Sequence, residues 1–287
     1  MIRTILYNLK KRIILFLTNK TNNEYLSKIY INQIHKKIIE SKKNEYALSG
    51  FKVYSQNEED GIIEAIFKDI GTLNKLFCEI GIGNTIENNT HYLILKDWKG
   101  LWIDRQSKFL KKLSKKISNN QKKLEMLVKK ITPENINNIL KKSIILAKAT
   151  NSEIDFLSID IDSYDLNCIS SLEAFSPRLI CIEYNAKIRL HIKLDIKNIE
   201  NFSWEYDDYF GSSLKSVDIV MKKKGYILIA TNITGSNAFY VKKELIDKCK
   251  TKGQSIEDLY SPPNFELYNF NVSHAPTNKY LIDKINE

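Results

Sequence analysis

Residues 75–105 read KLFCEIGIGNTIENNTHYLILKDWKGLWIDR, and this stretch decides the architecture. Residues 76–80 form a short, mostly apolar run, the pattern of a strand buried in a parallel sheet. The run leads into Glu79, Ile80, Gly81, Ile82 and Gly83. Asn84 and Thr85 follow with side chains suited to a helix N-cap, and Glu87 brings a carboxylate to the first turn. Residues 88–98 are long enough for a helix, which Lys99 and Gly100 close. A second apolar strand, 101–103, ends in Asp104. Strand, glycine turn, helix, strand and acid, in that order, make a nucleoside pocket. Glycine lets the backbone come close to a ligand, and an acid at the second strand tip accepts hydrogen bonds from ribose hydroxyls. Asp104 lies 23 residues after Gly81, near the ~20 expected of such a unit.

The third position of a G-x-G-x-x-G fingerprint is Ile86 here, so the dinucleotide pattern is incomplete. No G-x-x-x-x-G-K-[ST] occurs. The form Glu79-x-Gly81-x-Gly83 instead resembles motif I of class I methyltransferases, which bind S-adenosylmethionine (SAM). The competing reading is a plain α/β unit whose glycines only make a tight turn.

A chain of 287 residues suits one α/β domain with an appendage. It has no uncharged apolar run of membrane-spanning length, and Lys10, Lys11 and Arg12 split the apolar start, so neither a transmembrane helix nor a signal peptide is expected. Cys78, Cys168, Cys181 and Cys249 lack CxxC spacing and read as buried apolar residues of a reducing cytoplasm. The net charge of +10 is concentrated at the start: residues 1–49 hold ten Lys or Arg against three Glu. The rest is close to neutral, so no broad nucleic-acid surface is expected.

Three segments follow from composition: a basic helical appendage at 1–48, a catalytic domain at 49–250, and a tail at 251–287 packing on the domain. In the appendage Ile2, Ile5, Leu6, Leu9, Ile13 and Leu17 approximate one helical face, and a second helix spans 24–41. Such an arm either packs on the domain or a dimer mate, or contacts a membrane surface. Residues 51–70, FKVYSQNEEDGIIEAIFKDI, place a polar cluster ahead of a helix. Gln56 is a candidate for the cofactor mouth, with capping and solvation by the neighbouring acids as the equal alternative. Beyond Asp104 the pattern gives a lysine-rich helix at 107–118, strands at 123–131, 154–160, 179–182, 226–231 and 238–241, and helices at 134–141, 166–174 and 212–224. Residues 186–211, with Trp204 and Tyr206, form an insertion. Alternating strands and helices imply a parallel sheet, and the last two strands, joined by a short loop, imply one antiparallel member.

Ligands of open α/β sheets sit beyond the carboxyl ends of the strands. The fourth strand runs into Asp160, Ile161, Asp162, Ser163, Tyr164 and Asp165, and the fifth into Glu183, Tyr184 and Asn185. Side-chain alternation sets Asp160 with Asp162 and Glu183 with Asn185. On strands ~4.8 Å apart, three carboxylates and an amide converge. Their repulsion calls for a divalent cation or the sulfonium charge of SAM. Turn and cap roles for Asp162 and Asp165, and an ion pair of Glu183 with Arg178 or Arg189, are the mundane alternatives.

The stretches YSQNEEDGIIEAIF, FCEIGIGNTIENNTHYLI, WKGLWIDR, TPENINNIL, FLSIDIDSYD, SPRLICIEYNA, YFGSSLKSV and GYILIATNITGSNAFYV together resemble the FkbM-like branch of class I SAM-dependent methyltransferases. They are more distantly similar to macrocin-type sugar O-methyltransferases. The resemblance runs from about residue 51 to 245. It implies a Rossmann-like fold: a seven-stranded, mostly parallel sheet with one antiparallel strand and helices on both faces. It also implies that Glu79, Gly81 and Gly83 form the cofactor loop and that Asp104 holds the ribose. Two departures stand out: Asn84 and Thr85 replace a Gly-Asp-Gly-like sequence, which shifts cofactor contacts to backbone or to Asn84, and Ser163 replaces a glycine. From the macrocin-like relatives, Asp160 and Glu183, with Asn185, would hold Mg²⁺ or Mn²⁺, Asp160 would also border the cofactor, and Asp162 would be the general base. His191, in the insertion, is the first alternative base, ahead of His91 and His274.

The expected activity is methyl transfer from SAM to a hydroxyl of a small polar acceptor, a sugar or nucleotide-linked sugar of a surface polysaccharide by family analogy. Alternatives are an N-methyl or phosphoramidate-type methyltransferase, an RNA methyltransferase supported only by the basic arm, and a non-catalytic binding protein of the same fold. The expected location is the cytoplasm, with membrane or homo-oligomer contact through residues 1–48 as the arm's functional reading.

Overall fold

The computed structural model describes residues 20–117, 123–196, 207–268 and 277–287. The amphipathic start at 1–17, Trp204, Tyr206 and His274 lie outside the described residues. Seven strands form one sheet: β1 (Leu76–Ile80), β2 (Lys99–Asp104), β3 (Leu124–Val128), β4 (Glu153–Ile159), β5 (Ser176–Glu183), β6 (Tyr226–Thr231) and β7 (Asn237–Lys242). Their order is β3-β2-β1-β4-β5-β7-β6. The first five pair in parallel, and β7 runs antiparallel between β5 and β6. This is the seven-stranded arrangement with one reversed strand that the alternation of elements predicts.

Alternate residues of each strand feed two cores, one on each sheet face. Cys78 and Ile80, Leu101 and Ile103, Leu157 and Ile159, Ile180 and Ile182, and Ala238 and Tyr240 pack on one side. Phe77, Trp102, Phe156, Leu179 and Cys181, and Phe239 and Val241 pack on the other. The second side is covered by α2 (Glu59–Ile70), whose Ile62, Ile63, Ile66, Phe67 and Ile70 are all buried. By the same alternation Glu79, Ser158, Glu183 and Asn237 rise from this second face.

Ahead of α2, α1 (Lys20–Ser41) leads to a short 3-10 turn, Glu45–Ser49. The appendage expected to end at residue 48 is not separable there. Tyr46 and Ala47 are fully buried. Asn44 donates through Nδ2 to the Thr231 carbonyl at 2.8 Å and accepts from Thr231 N at 3.2 Å. The helix expected over 88–98 is only α3 (His91–Leu95), because Asn84 to Asn89 are consumed in turns that bind side chains below them. The remaining helices are α4 (Ser107–Ser114), α5 (Ile136–Lys141), α6 (Asp165–Ser171), α7 (Leu214–Lys223), α8 (Ile256–Leu259) and α9 (Lys279–Asn286). The Ser213 side chain caps α7 by accepting from Ser216 N. In the tail Leu259, Leu281 and Ile285 are buried, and α9 lies against α3. Among the described residues no helix is long and apolar enough to cross a membrane.

Candidate active site

At the carboxyl ends of β1, β2 and β4 lies a cleft of ≈ 300 Å³, bordered by Gly81, Gly83, Asp104, Asp160 and Asp162. Gly81 has φ 91° and donates its N–H to the Ile103 carbonyl at 2.9 Å. A Cβ there would stand 1.6 Å from the Asp160 carbonyl oxygen. Gly81 is therefore required by the neighbouring strand end, a reason different from ligand approach. Gly83, with φ 55°, has no atom of the described residues within 4 Å of an added Cβ, so its open side is what a ligand can use.

Asp104 fastens this loop. Its Oδ2 accepts from Gly83 N at 2.9 Å and its Oδ1 from Gln106 N at 2.6 Å. Each carboxylate oxygen keeps a second lone pair for a ligand hydroxyl. Asn84 borders the cleft but spends its Oδ1 on Ile86 N and Glu87 N, at 2.9 and 3.0 Å. It shapes a turn and caps no helix, because the helix expected after it starts only at His91, with Thr90 at its N-cap position. Gln56 is exposed at the cleft mouth, its carbonyl held by Lys52 Nζ at 2.6 Å. Its acidic neighbours do not solvate the mouth. Glu58, Glu59 and Asp60 are buried, and Asp60 Oδ2 accepts from the N–H groups of Val53, Tyr54 and Ser55.

Glu79 does not reach the cleft. Its carboxylate is 3 % exposed and accepts from Asn89 N at 2.8 Å, Thr90 N at 3.1 Å and the Thr90 hydroxyl. Burial raises it to about 7, against these hydrogen bonds. The residue moulds the segment after the glycine loop from beneath.

The carboxylates of Asp160, Asp162 and Glu183 each offer an oxygen, all within 4.8 Å of one another. Alternation accounts for only part of this. β4 ends at Ile159, and Asp162 takes φ 56°, a left-handed conformation that Asp tolerates. Asp165 holds that turn by accepting from Ile161 N at 2.7 Å and Ser163 N at 3.1 Å. The positive φ falls on Asp162, so Ser163 needs no glycine. Burial, then the charge of Asp162, pushes Asp160 well above the usual carboxylate range. Burial, then Asp160 and Asp162, does the same to Glu183. Asp162 is raised by burial, and the Arg105 guanidinium offsets part of this. Arg178 pairs with Asp155 at 3.2 Å, which removes it as a partner of Glu183. The set suits a hard divalent cation: three carboxylate oxygens, with Glu183 Oε2 buried and without a hydrogen bond among the described residues.

Asn185 is turned elsewhere. Its Nδ2 donates to the carbonyls of Asp208 and Phe210, at 3.1 and 3.2 Å, and its Oδ1 accepts from Lys187 N. β5 ends at Glu183, so alternation no longer aligns the two side chains. Asn185 clamps the insertion instead of joining the carboxylates. His191 is exposed on that insertion and does not border the cleft. His91 is buried, stacks on Tyr54 at 3.8 Å, and is held to about 3 by burial. Neither has the position of a base at the carboxylates. Sequence reasoning missed Asn237, which stands directly opposite Glu183 across β5 and β7. The register of an antiparallel partner was the signal that could have found it.

The model of the family described as methyltransferase FkbM domain matches residues 18–228. A search of the curated proteins finds no match. Among solved structures, a putative caffeoyl-CoA O-methyltransferase from Staphylococcus aureus is 13% identical, covers 77% of this chain and 99% of its own, with a TM-score of 0.43. The glycopeptide N-methyltransferase MtfA complexed with S-adenosyl-L-homocysteine is 10% identical, covers 67% and 93%, and has a TM-score of 0.39. The CcbJ methyltransferase from Streptomyces caelestis is 11% identical, covers 62% and 88%, and has a TM-score of 0.35. With the family model matching residues 18–228, most of this chain, and with the glycine loop, the strand-end acid and the reversed strand in place, this chain belongs to the FkbM methyltransferase family and is a SAM-dependent methyltransferase.

Proposed function

We propose that the protein methylates a hydroxyl of a small polar acceptor, a sugar or nucleotide-linked sugar of a surface polysaccharide, in the cytoplasm. The observation that carries the O-methyl reading is one of place. Asp160 and Asp162 border the glycine-loop cleft and also belong to the carboxylate cluster with Glu183. Cofactor and acceptor sites thus share a wall. The sugar itself is supported by family analogy alone, and the compartment by four free, buried cysteines.

SAM supplies an electrophilic methyl group on a sulfonium that leaves as a thioether. Asp104 would accept the ribose hydroxyls while keeping Gly83 in register. Asp160 and Glu183 would hold a divalent cation, Mg²⁺ or Mn²⁺. Such a cation lowers the pKa of a bound hydroxyl and fixes its direction. Asp162, at the cleft edge beside Arg105, takes the hydroxyl proton as the O–C bond forms and the C–S bond breaks.

The test joins binding to turnover. Calorimetry of the wild type should show one SAM site, and Asp162→Asn should keep it. With a hydroxylated acceptor that the wild type methylates, Asp162→Asn should lose about 10²–10⁴-fold in turnover. Undiminished turnover in the variant would remove Asp162 as the base, and absence of SAM heat in the wild type would remove the whole reading.

A further inference from the structure

Glu183 and Asn237 are register partners across β5 and β7. Tyr184 N donates to the Ser236 carbonyl at 2.9 Å, so the next pair along is the hydrogen-bonded one. Glu183 and Asn237 therefore form a non-hydrogen-bonded pair, the kind whose Cα atoms stand about 4.5 Å apart with side chains closest. On the other side of β5, the register that aligns Ile159 with Ile182 brings Asp160 beside Glu183. Gly81, Asp160, Glu183 and Asn237 thus stand in one row across four adjacent strands.

The amide of Asn237 has a defined direction. The side chain is 5 % exposed, and its Nδ2 donates to Glu59 Oε1 at 2.9 Å. The same Glu59 Oε1 also accepts from Asn232 Nδ2, so the Asn237 amide turns its donor towards Glu59 and its Oδ1 away from it. Glu59 is itself held: Asn232 Nδ2 donates to it at 2.8 Å and Asn57 N at 2.8 Å. Among the described residues Asn237 Oδ1 has no hydrogen-bond partner, and neither has Oε2 of its register partner Glu183. Two buried acceptors next to two more carboxylates need positive charge, and buried polar atoms are rarely left unmet.

We propose that Asn237 Oδ1 is the neutral third oxygen of the cation site made with Asp160 and Glu183, with Asp162 beside it left for the proton, and that Glu59 is its positioning residue. The inference rests on the reading that these carboxylates hold a divalent cation. Hard cations take amide carbonyls together with carboxylates as ligands. Asn237 then fills the role that the sequence suggested for Asn185, whose amide is committed to the insertion.

The test is Mn²⁺ titration of the full chain without SAM or acceptor, followed by calorimetry. The wild type should bind one Mn²⁺. Asn237→Ala should bind it at least tenfold more weakly, the scale of losing one supporting group, whereas Asn185→Ala should stay within about twofold. Infrared spectra of wild-type protein carrying ¹³C in its asparagine side chains need no variant to fold. There, Mn²⁺ should shift one amide carbonyl band. A wild type that binds no Mn²⁺ overturns the cation reading and this inference with it. Mn²⁺ bound equally well by Asn237→Ala, or with no band shift in the wild type, overturns the inference alone.

Discussion

Gly81→Ala is the substitution whose cost follows most directly from the geometry. The new methyl would sit 1.6 Å from the Asp160 carbonyl oxygen, and real Cβ contacts do not come within 3.0 Å. The ends of β1 and β4 must then part by about 1.4 Å, the difference between those distances. The left-handed backbone at φ 91° adds roughly 1–2 kcal/mol for any residue with a Cβ. The strand separation strains the Asp160 N to Ile80 O hydrogen bond of 3.0 Å, the last rung between β1 and β4. Losing such a bond costs about 0.5–1.5 kcal/mol. The expected loss of stability is therefore about 1.5–3.5 kcal/mol, and Asp160 moves out of line with Glu183. Gly83→Ala is the matched control, because its added methyl meets no atom of the described residues within 4 Å. It should cost only the backbone part, about 1–2 kcal/mol. Urea denaturation of both variants measures the difference, and SAM calorimetry reads the site. Equal stabilities for the two alanine variants would refute the argument that Asp160, and not the turn alone, demands a glycine.

Two further predictions concern the elements that hold the site. Burial raises Glu58 from its ordinary 4.5 to about 8, so between these values the unfolded chain releases a proton that the folded chain keeps. Stability should therefore fall as pH rises through that window and level off above it. Glu58→Gln can keep the bond to Ile233 N, and its melting temperature should decline less between pH 5 and 8; an identical decline would place the effect elsewhere. A chain beginning at Ser49 loses the buried Tyr46 and the two-way bond between Asn44 and Thr231. It should be destabilised by about 3–5 kcal/mol in denaturant, and a truncated chain as stable as the full one would show that residues 44–48 lie on the domain without supporting it.

The fold was legible in the sequence because its strands are apolar runs with few alternatives, bounded by Gly, Asn and acidic residues. β1 and β6 fall where periodicity puts them. Asp104 was legible for the same reason: a charge closing an apolar strand has one direction to face. The short α3 was not, since Asn88 and Asn89 satisfy backbone and side-chain partners that no helical periodicity encodes. Glu79 shows the limit of motif reading, because the pattern marks its position without telling whether the carboxylate faces a ligand or the protein. Asn185 and Asn237 show another. Both adjoin Glu183, one in sequence and one across the sheet, and only the antiparallel register separates their roles.

The reversed strand also bears on the order in which the protein can come into being. β7 occupies the gap between β5 and β6, yet it is the last strand to be synthesised. Until Asn237–Lys242 has left the ribosome, β5 is a sheet edge and Glu183 has no opposite residue. A nascent chain that has reached only residue 228, where the family match ends, carries the whole glycine loop and all three carboxylates but an open strand edge, the kind that pairs with other chains. The glycine loop is thus complete early during translation, whereas the open edge of β5 closes in a single late insertion. A ribosome stalled before β7 would expose a half-built enzyme suited to capture by a chaperone.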